Sequence, residues 1–148
     1  MHIAITGHTA GIGKSFAEQL KERGHTITGI SRSEGENIRR IPHIASLIEP
    51  CDLFINNAQS GYAQTELLYE VWKRWQGKDK YIWNISTIMT EQPVNSIPHN
   101  LDDLEMSQYR LQKIALEEAS RQLAHKDKKP YISVIRPGEV DRKSTRLN

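Results

Sequence analysis

The chain has 148 residues, of which 37% are hydrophobic and 26% are charged, a composition that is typical of one globular domain and excludes a disordered chain. The formal net charge is +2, and residues 141–148 carry that excess, so the neutral body gives no reason to expect a nucleic-acid partner. Cys51 is the only cysteine, which excludes an intrachain disulfide and indicates a small buried side chain. The scattered histidines have no spacing that suggests a metal site.

Residues 1–7 lack a basic leader and a cleavage site, and no apolar stretch approaches membrane-spanning length, so we expect a cytoplasmic protein with no membrane partner. Residues 141–148 have no apolar periodicity and are expected to be disordered or non-native. One domain is therefore predicted at residues 1–140.

Strand and helix patterns alternate along the N-terminal half. The first apolar run enters a glycine-rich turn, and the helix that follows is ended by Gly24. A β-branched run predicts the second strand, and Pro42 marks the start of the next helical face. The elements predicted for this half are strands at 2–5, 26–30 and 52–55 and helices at 14–23 and 38–49.

Little chain separates the second strand from the strand at 52–55. It has room for one helix and for a small third strand around Asn37 and Ile38, but not for a further helix. One crossover helix of a regular alternating fold is therefore expected to be missing.

The same alternation continues in the C-terminal half. Leu67, Leu68, Val71, Trp72 and Trp75 give one helix an apolar face, which we interpret as part of the core or as a dimer surface. A polar stretch at 87–103 lacks periodicity and predicts a long loop. The elements predicted here are helices at 66–76 and 104–124 and strands at 81–85 and 131–135.

Strands that alternate with helices pair in parallel through right-handed crossovers, and helices then cover both faces of the sheet. The sequence therefore predicts an α/β fold of the Rossmann-like, doubly wound kind. It has about six strands in a three-layer α/β/α arrangement.

Glycines 7, 11 and 13 follow the first strand and open the first helix. Such a turn lets backbone N–H groups and the helix dipole reach a pyrophosphate, because no side chains stand in the way. The residues predicted to bind the dinucleotide here are Gly7, His8, Thr9, Gly11, Ile12 and Gly13.

The second strand ends in Ser31, Arg32 and Ser33, with no carboxylate before Glu34. A strand that ends in an acid would bind the ribose hydroxyls of NAD, whereas an arginine can pair with a 2′-phosphate and serines can donate to the same oxygens. NADP(H) is therefore predicted in preference to NAD(H).

Tyr109 and Lys113 lie one helical turn apart, so both side chains share a face of the predicted helix. They follow the glycine turn, the Asn56-Asn57-Ala58 segment and Ser86 in that order. The whole series resembles the short-chain dehydrogenase/reductase family, and the resemblance covers residues 2–140.

This resemblance implies the strand order 3-2-1-4-5-6 and a set of roles. It implies that Tyr109 exchanges a proton with the substrate oxygen, that Lys113 lowers the tyrosine pKa and grips the nicotinamide ribose, and that Ser86 orients the carbonyl. Thr87 is the alternative to Ser86 if the register shifts by one residue. Further cofactor contacts are implied for Asn37, Ile38, Asn57, Ala58, Pro137, Gly138 and Val140.

The chain departs from the family pattern in several places. Ser86 and Tyr109 are 23 positions apart, about ten more than usual in the family, and residues 62–76 contain no asparagine to act as a proton relay. After Val140 the family normally has a segment that covers the substrate and a seventh strand, and we expect this chain to have neither.

The favoured function is an NADP(H)-dependent oxidoreductase, a short-chain dehydrogenase or reductase, that transfers hydride between nicotinamide and a small carbonyl or alcohol. One alternative is an NADP(H)-binding sensor without turnover, and another is a truncated fragment of a longer enzyme. Exposed sheet edges and the apolar helix favour a homodimer.

Overall fold

A computed structural model describes residues 1–91 and 103–138. In these residues five strands alternate with four α-helices, and short 3₁₀ helices follow β2 at Arg32–Glu34 and β4 at Ile88–Glu91. Strands β2, β4 and β5 have the bounds that the sequence predicts. The elements are β1 (His2–Thr6), α1 (Gly11–Glu22), β2 (Thr26–Ile30), α2 (Ile41–Ile48), β3 (Leu53–Asn56), α3 (Ala63–Arg74), β4 (Tyr81–Ile85), α4 (Asp103–Lys126) and β5 (Tyr131–Ile135).

The strands form one parallel sheet in the order β2-β1-β3-β4-β5. This confirms the predicted fold class, and the order is that of 3-2-1-4-5-6 without its outermost strand. The small strand predicted around Asn37 and Ile38 is not formed. Gly35 has a φ of +90° and Asn37 accepts a hydrogen bond from the backbone N–H of Arg39 (3.0 Å), so the segment turns instead of extending beside β2.

The sheet is covered unequally on its two faces. Helices α2, α3 and α4 pack on one face around Phe54 and Trp75, whereas α1 packs on the other through Phe16 and Leu20. Cys51 lies in the first of these clusters, as predicted. The apolar face of α3 is buried in the same cluster, so its residues belong to the core of the subunit and not to a dimer surface.

Neither a membrane-spanning helix nor a metal-binding cluster is found in residues 1–91 and 103–138. No helix in these ranges is long and apolar enough to span a membrane. No group of His, Cys, Asp and Glu side chains there could hold a metal ion.

The glycine turn after β1 packs against the segment after β3. Thr6 Oγ1 accepts hydrogen bonds from the backbone N–H groups of Asn57 (3.0 Å) and Ala58 (3.1 Å). The side-chain amide of Asn57 donates to the carbonyl oxygen of Gly7 at 3.2 Å. A Cβ on Gly13 would overlap that same carbonyl oxygen and the Asn57 amide, which leaves room only for glycine.

We expect Gly13→Ala to lower the free energy of unfolding by about 3 kcal/mol, because the added methyl group meets backbone that cannot move freely. Gly11→Ala is the matched control in the same turn. Gly11 has a φ of +55° and open space around it, so alanine there should cost only the left-handed strain of about 1 kcal/mol. Urea unfolding without nucleotide measures both, and equal losses would contradict the overlap at Gly13.

Candidate nucleotide-binding and active site

A cavity of about 210 Å³ lies at the carboxyl ends of β1, β2 and β3. Eight of the residues that the sequence predicts for the cofactor line it. In parallel α/β sheets, ligands bind beyond this edge, where the strand order reverses. The lining consists of the predicted Gly7, Thr9, Ser31, Arg32, Ser33, Asn37, Ile38 and Ala58, together with Ala10, Ile30, Glu36, Gln59 and Ser60.

Hydroxyl groups cluster at the β2 side of this cavity. Ser31 Oγ and Ser33 Oγ are 3.1 Å apart, and Ser33 Oγ donates to Thr9 Oγ1 at 3.3 Å. Arg32 lines the cavity beside them, and Arg39 reaches its rim by donating to Ser60 Oγ at 2.6 Å. Hydroxyl and guanidinium donors in one place are suited to binding phosphate oxygens.

Glu36 also lines this cavity, and the sequence prediction did not include it. Its Oε2 lies 2.8 Å from His43 Nε2, which holds the carboxylate at the rim. A carboxylate can accept hydrogen bonds from ribose hydroxyls and repels a phosphate. The cavity therefore contains one group suited to each of the two nicotinamide cofactors.

The remaining predicted residues of the glycine turn lie outside the lining. His8 packs its ring over Gly29, where no Cβ would fit, and lies 3.1 Å from Glu34. Gly11, Ile12 and Gly13 form the first turn of α1, whose N-terminus follows the cavity residue Ala10. Their backbone N–H groups are at the helix end that favours anions.

Tyr109 and Lys113 share one face of α4, with Lys113 Nζ 5.6 Å from the centre of the Tyr109 ring. Lys113 is buried, and its ammonium donates to Gln64 Oε1 and to the carbonyl oxygen of Ile85, both at 2.9 Å. Burial lowers the pKa of Lys113 to about 8, and the negative charge of Glu117 partly offsets that effect. The lysine is thus poised to change its charge near neutral pH.

Thr87 provides the hydroxyl beside Tyr109. Burial raises the pKa of the Tyr109 phenol, while a side-chain hydrogen bond with Thr87 acts in the opposite direction. The Oγ of Ser86 is buried and donates to Glu117 Oε2 at 2.5 Å. The hydroxyl of Ser86 is therefore already engaged by a carboxylate, whereas the hydroxyl of Thr87 bonds to Tyr109.

Two buried residues near this pair were not predicted from the sequence. Gln64, at the start of α3, accepts from Lys113 and donates from its amide to the carbonyl oxygens of Asn56 (2.7 Å) and Ile85 (3.0 Å). Glu117 lies one turn beyond Lys113 on α4. The spacing of four residues between Lys113 and Glu117 could have predicted that the two side chains are neighbours on the helix. No local sequence pattern could have predicted that Gln64 contacts Lys113.

The two parts of the candidate site are connected. Gln59 lines the cavity, and its side-chain amide donates to Gln112, the residue before Lys113 on α4. Gly138 follows β5 at the same edge of the sheet and lies against Ile88, while Pro137 is half-buried. The predicted contact of Val140 lies outside the described residues.

Comparison with known proteins gives a short match in sequence and a broad match in structure. A 39-residue segment is 46% identical to the 3-ketodihydrosphingosine reductase of Bacteroides thetaiotaomicron, covering 26% of this chain and 14% of that reductase. No protein-family model matches the chain.

Solved structures resemble the chain over most of its length. A 3-alpha-hydroxysteroid dehydrogenase from a Pseudomonas species, complexed with NADH, has a TM-score of 0.65 at 19% identity, with 90% of this chain and 70% of that one covered. A short chain dehydrogenase from Burkholderia cenocepacia, in complex with NADP, has a TM-score of 0.71 at 17% identity, with 91% and 69% covered. The chain therefore has the fold of the short-chain dehydrogenases, and its resemblance to the short-chain dehydrogenase/reductase family is confirmed.

Proposed function

We propose that this protein is a nicotinamide-dependent oxidoreductase that interconverts a small carbonyl compound and its alcohol, with NADP(H) as the preferred cofactor. The observation that carries the proposal is the position of the Tyr109 and Lys113 pair at the same sheet edge as the cavity, linked to it through Gln59 and Gln112. The similar solved structures bind NADH and NADP, which supports a cofactor of this class.

The chain's own residues account for the proton side of the reaction. A bound nicotinamide would supply the hydride to the carbonyl carbon, and the phenol of Tyr109 gives its proton to the carbonyl oxygen. The ammonium of Lys113 stabilises the phenolate that remains. The hydroxyl of Thr87 is placed to donate to the same substrate oxygen and hold it in line with Tyr109.

Cofactor preference depends on the balance between Arg32 and Glu36. Arg32 and the hydroxyls of Ser31 and Ser33 favour a 2′-phosphate, whereas Glu36 opposes it. Because His43 engages the Glu36 carboxylate, the phosphate-binding side is proposed to prevail. A homodimer remains the predicted assembly.

We expect Tyr109→Phe to reduce kcat about 1,000-fold, because it removes the proton donor. NADPH binding should change less than about threefold, since the phenyl ring still fills the same space. Stopped-flow oxidation of NADPH with a panel of ketones, aldehydes and quinones measures the first, and quenching of NADPH fluorescence measures the second. Turnover that survives this substitution would rule out the proposed acid, and wild-type protein that binds NADPH without any turnover would indicate a sensor.

Thr87 and Ser86 are distinguished by a pair of conservative substitutions. We expect Thr87→Val to lower kcat about 100-fold, because the substrate oxygen loses a donor. Ser86→Ala should lower kcat much less than Thr87→Val does, because Thr90 still ties the same segment to Glu117. It should also lower stability by about 1 kcal/mol, because one hydrogen bond to a charged group is lost. Steady-state kinetics and thermal unfolding of both variants decide between the two residues. A large loss of kcat in Ser86→Ala with a small one in Thr87→Val would identify Ser86 as the orienting hydroxyl.

For the cofactor, we expect Arg32→Ala to weaken NADPH about tenfold and to leave NADH nearly unchanged. Glu36→Gln should shift the ratio of the two dissociation constants about fivefold further towards NADPH. Glu34→Gln makes the same charge change two residues away and outside the cavity lining, and should not alter the ratio. Fluorescence titration with each cofactor gives the constants, and equal effects at Glu34 and Glu36 would show only a long-range charge effect.

A further inference from the structure

We infer that Glu117 is a positioning residue for the proposed active site, which fixes the segment carrying Thr87 against Tyr109 and lies one helical turn from Lys113 on α4. This inference rests on the proposed roles of those three residues. Glu117 is itself buried and acts through its neighbours.

Glu117 joins α4 to the ends of two strands. Its Oε2 accepts from Ser86 Oγ at 2.5 Å, at the end of β4, and from Thr90 Oγ1 at 2.9 Å in the following 3₁₀ helix. Arg136, at the end of β5, donates to both of its oxygens, at 2.6 Å to Oε1 and 3.2 Å to Oε2. Burial acts to raise the pKa of Glu117, but these hydrogen bonds together outweigh it and hold the pKa below its usual value.

Thr87 lies between two residues that this carboxylate holds. Ser86 is one position before it and Thr90 three positions after it, so the turn that carries Thr87 is tied to α4 at both ends. Arg110, the neighbour of Tyr109 on α4, donates to the carbonyl oxygen of Met89 at 3.0 Å in the same segment. The distance between Thr87 and Tyr109 is therefore set mainly by contacts to α4.

The charge of Glu117 also acts on Lys113. A negative group one helical turn away favours the ammonium, which otherwise faces the neutral Gln64, the Ile85 carbonyl and the Tyr109 ring. Arg136 pairs with Glu117 and also with Glu91, 3.1 Å away.

The test compares Glu117→Gln with Glu118→Gln. Glu118 is the next residue on α4, pairs with Arg121 at 3.0 Å and is half-exposed, so it controls for the loss of one charge. The protein is labelled with ¹³C at lysine Cε and tyrosine Cζ, and the Lys113 and Tyr109 signals are assigned with Lys113→Met and Tyr109→Phe. The titration of Lys113 and the position of the Tyr109 signal are then followed by NMR.

In Glu117→Gln we expect the Lys113 titration to fall by about one pH unit from its value of about 8, because a stabilising charge is lost. The Tyr109 signal should move in the same direction as it does in Thr87→Val. Glu118→Gln should change neither. A folded Glu117→Gln variant whose Lys113 titration and Tyr109 signal match the wild type would overturn the inference.

Glu117→Asp separates the two effects and serves if Glu117→Gln does not fold. It keeps the charge but shortens the side chain by one methylene, so we expect the Lys113 titration to persist while the Tyr109 signal moves. An unmoved Tyr109 signal in this variant contradicts the positioning role. All these NMR readouts use the protein without cofactor or substrate. The positioning role of Glu117 can therefore be contradicted while the proposed oxidoreductase activity is confirmed, and the activity can be contradicted while the positioning role is confirmed.

Discussion

The buried ammonium of Lys113 is the constraint around which the carboxyl edge of the sheet is arranged. Removing a cation from water costs several kcal/mol unless oxygen atoms replace its hydration. Gln64 and the Ile85 carbonyl supply two such atoms at 2.9 Å, and Glu117 supplies the opposite charge. Since the pKa of Lys113 still falls to about 8, this compensation is incomplete, and the ammonium loses its proton more readily than that of a solvated lysine.

Gln64 can hold Lys113 because its own position is fixed by the central strands. Its amide binds the carbonyl oxygens of Asn56 and Ile85, and its backbone carbonyl accepts from the Asn56 side chain at 3.0 Å. Asn56 also donates to Asn84 at 2.9 Å, which in turn donates to Ser120 of α4 at the same distance. This buried polar chain crosses from α3 through β3 and β4 to α4. A misplaced strand or helix would leave several of these groups unpaired. The hydrogen-bond network therefore helps to specify a single packing of these strands and helices.

The sequence predicted the elements whose signals are local. Strands β2, β4 and β5 are short β-branched or aromatic runs with polar or turn residues on either side, and their bounds are reproduced. The prediction of a small strand around Asn37 and Ile38 was wrong. A glycine with positive φ and an asparagine turn, rather than the apolar Ile38, determine the backbone conformation there. Eight of the predicted cofactor residues line one cavity, because a parallel sheet brings the ends of its strands together.

Glu36, Gln64 and Glu117 could not be assigned roles from the sequence, because their roles arise from contacts between residues far apart in the chain. The choice between Ser86 and Thr87 has the same origin. Both are small hydroxyl residues at the end of β4, and a local pattern cannot tell them apart. We propose Thr87 for that role because the buried Glu117 carboxylate already binds Ser86, whereas Thr87 forms a side-chain hydrogen bond with Tyr109.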